Sequence, residues 1–306
     1  MTATPADRHL LLVHAHPDDE SINNGATMAK YLAQGVGVTL VTCTAGEMGE
    51  ILVPELEHLA HDQDDALAEQ REIELGNAMK ALGVTDRRWL GGFKTYRDSG
   101  MQWHEDGHAI AADTIHENAF WHADLTEAAN HLVTIIREVR PQVLVTYDEF
   151  GNYGHPDHIQ AHRVAMYAAQ LAAVPSYRLD LGEPHDIAKI YWCAMSESWM
   201  REGLRRLRDA GDETTFEGMD PEGQLPPFVT SDENLAAVVD GTEFHEQKMA
   251  ALAAHVTQIT TDGPFFALSN NAGTEAWGYE FYRIAKGTKS GELNEKGLET
   301  DLFAGI

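Results

Sequence analysis

The sequence predicts an α/β fold of Rossmann-like type: a mostly parallel sheet with helices on both faces, followed by a smaller C-terminal lobe. Three observations carry that expectation. Short, wholly apolar runs such as Leu10-Leu11-Leu12-Val13 and Val143-Leu144-Val145 read as strands buried on both sides. Over the first half of the chain such runs alternate with stretches of helical spacing, the order that gives parallel strands joined by crossover helices. Clusters of His, Asp and Glu follow two of the runs, at the carboxyl ends where such sheets bind ligands.

In order, residues 9–14 read as a strand, 24–34 as a helix and 38–44 as the next strand. Residues 65–82 carry Leu75, Met79 and Leu82 at helical spacing and run into Gly83, which suits a left-handed C-cap. Trp89-Leu90 is a short strand leading into Gly91-Gly92. Over residues 125–140, Leu132, Ile135, Ile136 and Val139 follow the i, i+3, i+4, i+7 rule, and Pro141 stops the helix. A strand over 143–146 and a helix over 156–173 follow. Beyond residue 174 the pattern loosens. A strand is expected over 190–194, a charged helix over 197–209, an acidic loop or lid over 212–234, a helix over 241–255 and a turn at Ser269-Asn270-Asn271. The expected division is residues 1–174 as a metal-binding core and 175–306 as a lobe shaping the pocket, with the two able to share a core.

Composition limits the partners. The 306 residues suffice for a large buried core. With 49 acidic against 22 basic residues and a formal charge of -27, nucleic acid and anionic membranes are not expected as partners. The acidity reads instead as a solvated surface. No apolar stretch approaches the ~20 residues of a membrane-spanning helix. Met1 to Arg8 lacks the basic start and apolar run of a secretory signal, so a cytoplasmic protein is expected. The two cysteines, Cys43 and Cys193, lie in strand-like runs and read as buried thiols; a Cys-based structural zinc site is excluded by their number. No heptad run is present from which an oligomeric state could be read.

The chemistry lies in two clusters. His14-Ala15-His16-Pro17-Asp18-Asp19-Glu20 follows the first strand, and Tyr153-Gly154-His155-Pro156-Asp157-His158 lies a short way beyond the strand at 143–146. Either alone would serve as a helix start, with Pro in the first turn and acids facing the positive end of the dipole. Capping does not account for His in both, since Ser, Thr, Asp and Asn are the favoured caps. Together they bring His16, Asp19, His155 and His158 to one edge of the sheet. Two imidazoles and a carboxylate with an open position form a hydrolytic zinc arrangement, whose bound water ionises at a pKa of about 7. The same donors admit Fe(II) or Co(II). Of Asp18 and Asp19, one can bind metal while the other takes a proton from the water. His155 and His158 divide likewise into ligand and proton donor, with Asp157 available to orient the donor and Tyr153 to stabilise an oxyanion.

These motifs resemble the zinc-dependent N-acetylglucosaminyl deacetylases of the PIG-L/LmbE type. Gly46-Glu47-Met48-Gly49-Glu50, Arg97-Asp98-Ser99-Gly100-Met101, Ala254-His255-Val256-Thr257-Gln258 and Asp301-Leu302-Phe303-Ala304-Gly305 are similar to the mycothiol-pathway branch of that family. The resemblance implies His16, Asp19 and His158 as ligands of one Zn2+, or of Fe2+. It implies Asp18 as general base, and His155 as general acid and stabiliser of the tetrahedral intermediate, with Asp157 behind it. Tyr153 would be a mobile tyrosine at the oxyanion, and Arg71 and Asp98 would hold the sugar and inositol hydroxyls. Taken alone, Arg71 reads equally as a side chain snorkelling over the core rim, and Asp98 as part of a turn. The implied reaction is hydrolysis of the N-acetyl group of a small amino sugar, an N-acetylglucosaminyl-inositol. A sister branch cleaves mycothiol S-conjugates at an amide and carries a lysine after the first motif. Here Ile22-Asn23-Asn24 stands in that stretch, which with the Arg97-to-Met101 match and Ser269-Asn270-Asn271 favours the deacetylase; the S-conjugate amidase, or deacetylation of another N-acetylglucosaminide, is the alternative. A non-catalytic sugar-binding protein would leave Asp18 and His155 without a role, and no Gly-rich phosphate loop follows the first strand.

Overall fold

A computed structural model of the chain describes residues 7–263, 266 and 278–306. The expected turn at Ser269-Asn270-Asn271 lies outside them. Strands β1 (His9–His14), β2 (Gly37–Thr42) and β3 (Asp86–Trp89) pair in parallel, with β6 (Val143–Thr146) on the other side of β1 and β7 (Lys189–Ser196) beyond it. Two antiparallel strands, β10 (Tyr279–Lys286) and β9 (Ala237–Asp240), complete the order β3-β2-β1-β6-β7-β10-β9, and the short β8 (Val229–Thr230) pairs with β7. A separate hairpin is formed by β4 (Gln102–Trp103) and β5 (Ala109–Ile110).

The alternation of β1 divides the core between two faces. Leu11 and Val13 pack with Leu132, Val133 and Ile136 of α3 (Leu125–Val139) and Val164 and Ala168 of α5 (Pro156–Ala173). Leu10 and Leu12 pack on the opposite face with Met28 of α1 (Asp19–Ala33), Leu75 and Met79 of α2 (Leu67–Leu82) and Ala251 of α7 (His245–Ala254). All these side chains are fully buried or nearly so, and at about 1.5–3 kcal/mol each they supply the main drive for the layered fold. Helices on both faces of a mostly parallel sheet are what the apolar runs predict. The described residues also form the short α4 (Gly151–Gly154) and α6 (Glu197–Asp209). Residues after 174 contribute β7, β9 and β10 to the same sheet, and Tyr282, Leu302 and Phe303 join the core face of Leu10 and Leu12, so the two segments share that core.

Several boundaries differ from the sequence expectation. Helix α1 starts at Asp19 rather than at residue 24, because its first turns bury polar side chains, Glu20, Ser21 and Asn24, which carry no hydrophobic period. Strand β3 covers Asp86–Trp89, not Trp89-Leu90; its charged residues suit a sheet edge, where Arg87 pairs with Glu72 and Arg88 with Glu138. Helix α3 ends with Arg140 in the left-handed conformation immediately before Pro141. Cys43 and Cys193 are buried and unpaired, as expected. Among the described residues no helix is long and apolar enough to cross a membrane.

Candidate active site

The chain runs outward from β1 through β2 to β3, then returns to place β6 on the other flank of β1. The carboxyl ends of β1 and β6 therefore open a crevice at a topological switch point. The β1–α1 loop brings His16, Asp18 and Asp19 to one wall. The segment after β6 brings Tyr153, at α4, and His155, Asp157 and His158, at the start of α5, to the other.

The predicted residues converge. One donor atom from each of His16, His155 and His158 lies within 4.8 Å of the others, and all three residues are buried. Asp19 spans two of the imidazoles, with Oδ2 at 3.3 Å from His16 Nδ1 and Oδ1 at 3.4 Å from His158 Nε2, and it also accepts the His16 backbone N–H at 2.9 Å. Both ring nitrogens of His158 are buried without a hydrogen-bond partner, although the ring stacks on Tyr147 with centroids 4.2 Å apart. A buried imidazole left unsatisfied beside a carboxylate and two further imidazoles is a donor set that a metal ion would satisfy. The donor set fits a divalent transition metal.

Asp157 corrects one expectation. Its carboxylate does not orient His155; Oδ2 lies 3.2 Å from His16 Nε2 and accepts the Ser99 backbone N–H at 2.9 Å, while Oδ1 accepts the Ser99 hydroxyl. The cause is helical geometry, since His155 is the N-cap of α5 and its Nδ1 accepts the backbone N–H of Asp157 at 3.1 Å. That bond leaves His155 with its proton on Nε2. His16 thus presents Nδ1 toward Asp19 and hands its other nitrogen to a carboxylate, the arrangement that fixes the tautomer of a metal-binding histidine.

Asp18 is held from three directions. Its backbone sits at φ 108°, ψ -37°, outside the regions an L-residue favours. Its N–H donates to Glu20 Oε2 at 2.9 Å, and its carbonyl accepts from Ser21 and Ile22. Arg71 Nη2 donates to Asp18 Oδ2 at 3.1 Å and to the Pro17 carbonyl, while Nη1 donates to the Gly46 carbonyl at 2.9 Å. Gly46, at φ 70°, accommodates this clamp, since a Cβ there would collide with the guanidinium. Arg71 therefore commits three hydrogen bonds to the protein while also lining the pocket, where the resemblance implied contact with substrate hydroxyls. Burial lifts the Asp18 carboxyl to about 6 despite the neighbouring Arg71 charge.

The other groups have distinct environments. Burial works to raise Asp98, but the charge of His16 nearby and backbone N–H donors hold it at about 2; its carboxylate accepts the backbone N–H groups of Met48 and Gly100 and lies 3.7 Å from His16 Nε2. Burial, reinforced by His16 and His158, pushes His155 well below the ordinary histidine range. Burial and the surrounding carboxylates push Tyr153 well above the usual tyrosine value, so its hydroxyl stays protonated and able to donate. These groups surround a pocket of about 760 Å³, a size typical of small-molecule sites. Residues beyond 175 close its outer wall with Phe216, Met219, Pro226, Phe228 and Gln258.

Sequence reasoning missed the supporting groups. Glu20 and His255 form a fully buried pair at 3.0 Å, and Thr257 bonds Glu74 on α2, so the Ala254-to-Gln258 stretch braces α1, which carries Asp19, and α2, which carries Arg71. The only sequence signal for His255 was its place in that motif. Ser99 likewise appeared only within the Arg97-to-Met101 motif, and Tyr147 gave no signal.

Residues 11–169 match the family PIG-L: GlcNAc-PI de-N-acetylase. The chain is 76% identical over 300 residues to the 1D-myo-inositol 2-acetamido-2-deoxy-alpha-D-glucopyranoside deacetylase of Nocardioides sp., covering 98% of this chain and 99% of that protein. To the deacetylase of the same name from Kribbella flavida it is 63% identical, with 98% of each covered. Among solved structures, the N,N′-diacetylchitobiose deacetylase of Pyrococcus horikoshii shares the fold with a TM-score of 0.58 at 20% identity, over 93% of this chain and 86% of that one.

Proposed function

The chain belongs to the PIG-L family of GlcNAc-PI de-N-acetylases, and from that premise we propose that it hydrolyses the N-acetyl group of 1D-myo-inositol 2-acetamido-2-deoxy-α-D-glucopyranoside, the mycothiol-pathway reaction that releases acetate and glucosaminyl-inositol. The observation that carries this reading is His158, buried with no hydrogen bond at either ring nitrogen and only the Asp19 carboxylate, at 3.4 Å, beside Nε2. His16, Asp19 and His158 would hold the metal, read here as zinc with Fe(II) as the alternative. When bound, it supplies Lewis acidity toward the amide carbonyl and makes water a stronger acid.

The protein's own residues do the rest. Asp18, positioned by Arg71 and Glu20, takes a proton from the attacking water. Tyr153 O–H and His155 Nε2–H donate hydrogen bonds to the carbonyl oxygen as charge gathers there. The resemblance makes His155 the acid for the departing nitrogen. That role requires the imidazolium, which burial beside His16 and His158 opposes and which also asks Nδ1 to give up the Asp157 N–H, so it forms only as negative charge builds on the neighbouring oxygen. The C–N bond then breaks, and the proton taken from water balances the one delivered to the amine. Asp98, rigid and ionised, would accept substrate hydroxyls, and the outer wall beyond residue 175 would shape the space for the inositol.

The test measures acetate release from the N-acetylglucosaminyl-inositol and amide cleavage of a mycothiol S-conjugate side by side, with metal content by elemental analysis. Deacetylation should dominate, vanish with chelator and return with Zn(II) or Fe(II). A fully active preparation free of bound metal would overturn the reading, and preferential cleavage of the S-conjugate would replace it with the amidase.

A further inference from the structure

Away from the floor of the pocket, a second set of metal-binding side chains meets on the β4–β5 hairpin. Residues 104–108 read His-Glu-Asp-Gly-His. The turn fixes their relation: His104 N–H donates to the His108 carbonyl and Gly107 N–H to the His104 carbonyl, both at 2.9 Å, with Gly107 at φ 80°. His104 and His108 thus face each other across the hairpin, their rings stacked with centroids 4.8 Å apart and planes 30° apart. Asp106 Oδ2 lies 3.2 Å from His104 Nδ1, and one donor atom from each of the three residues lies within 4.8 Å of the others. Two imidazoles and a carboxylate are the donors that divalent first-row metals take. Bonds of about 2.1 Å in a tetrahedral site bring donors to roughly 3.4 Å of one another, a closure that rotations of these solvent-facing side chains can supply. The turn uses Gly107 and also His104, whose Nδ1 accepts the Asp106 backbone N–H at 3.2 Å, and a chain with a formal charge of -27 draws cations toward its surface.

The hairpin's inner side belongs to the pocket. Trp103 and Gly107 line it, the Trp103 ring lies 6.0 Å from that of Tyr153, and the Ala109 carbonyl packs against Gly154 so closely that no Cβ would fit there. Whatever fixes the hairpin tip therefore fixes the rim beside Tyr153.

We propose that His104, Asp106 and His108 bind a second divalent transition-metal ion, and that its binding pins the hairpin over the pocket and slows turnover. The site is open to solvent, so it fills only when metal is in excess over the buried site. The test titrates Zn(II) by calorimetry into holoenzyme already carrying one metal per chain, beside a His104→Ala/His108→Ala variant. Wild type should take up one further equivalent that the variant does not, and the same excess of Zn(II) should lower wild-type turnover while sparing the variant. An Asp106→Asn protein, which keeps both imidazoles, should bind the second ion more weakly than wild type. Matching turnover of all three proteins in metal-limited buffer establishes that the variants are folded. Equal uptake by wild type and the double variant would overturn the site. Loss of the second equivalent with unchanged zinc inhibition would uphold the site and overturn its effect on turnover. The calorimetric readout does not depend on the substrate proposed above.

Discussion

Glu20 holds Asp18 from behind, its carboxylate accepting the Asp18 backbone N–H at 2.9 Å while its other oxygen meets His255 at 3.0 Å. Asp18 sits at a backbone conformation that costs about 1–3 kcal/mol for a non-glycine residue and persists only where its surroundings impose it. The Glu20–His255 pair is part of what imposes it.

Replacing Glu20 or His255 by Ala should therefore lower kcat by about 10²-fold, the scale on which small misplacements of a catalytic group act, with KM changed far less. Removing one partner of a buried pair should also destabilise the fold by about 3–5 kcal/mol. Glu20→Gln, which keeps the acceptor for Asp18 N–H, should recover much of the lost kcat. Steady-state kinetics below the melting temperature of each variant, with metal content checked, measures this. A folded, metal-loaded Glu20→Ala enzyme with parental kcat would remove Glu20 from the account.

The position of Asp18 against Arg71 sets a pH dependence. Asp18 must be ionised to take a proton, and burial raises it to about 6 even with Arg71 opposing the shift. The acid limb of kcat/KM should reflect this group, with activity lost as pH falls through it. Arg71→Met removes the charge that favours the carboxylate, so the limb should move to higher pH. A bound cation shifts both proteins downward alike, which makes the difference between them the measurement. A variant with a raised KM and an unmoved acid limb would mean that Arg71 serves the substrate alone.

What the sequence made legible follows the physics of each element. The buried parallel strands announced themselves because both faces are apolar, and α5 because Pro156 opens it and its alanines pack inward. The convergence of the two clusters was legible because each His-Pro-Asp run follows a buried strand of the sheet; that His155 also caps α5 was not, since His is a rare cap. The start of α1 was not, since Glu20, Ser21 and Asn24 are buried by satisfying partners at residues 255 and 282, distances no local pattern reveals. Strands β9 and β10 were missed because their pairing is long-range and antiparallel. The partner of Asp157 was misjudged for a related reason: adjacency to His155 in sequence suggested contact, but the first turn of a helix sends neighbouring side chains apart.

That correction is testable. Asp157→Asn should weaken metal binding by about 10–100-fold, because it loosens the carboxylate that orients His16. Competition against a chromogenic chelator gives the affinity directly. If affinity is unchanged while kcat falls, Asp157 acts through His155 instead, as its place in the sequence first suggested.

The outer wall gives the last prediction. Met219 and Phe228 come from the acidic segment beyond α6 and line the pocket with side chains that can neither give nor take a proton. Their contribution is apolar surface against the substrate, equal in the ground and transition states, and such uniform binding appears in KM rather than kcat. Burial of an aromatic side chain is worth about 1.5–3 kcal/mol, so Phe228→Ala should raise KM by roughly tenfold or more, and Met219→Ala by less. Phe216, which lines the same wall, is a poorer probe because its backbone is left-handed and any substitution also changes local strain. Initial-rate kinetics on the inositol substrate and on a simple N-acetylglucosaminide separate the cases. If this wall meets the inositol, the penalty should appear with the first and shrink with the second. Equal penalties would place the inositol elsewhere in the pocket.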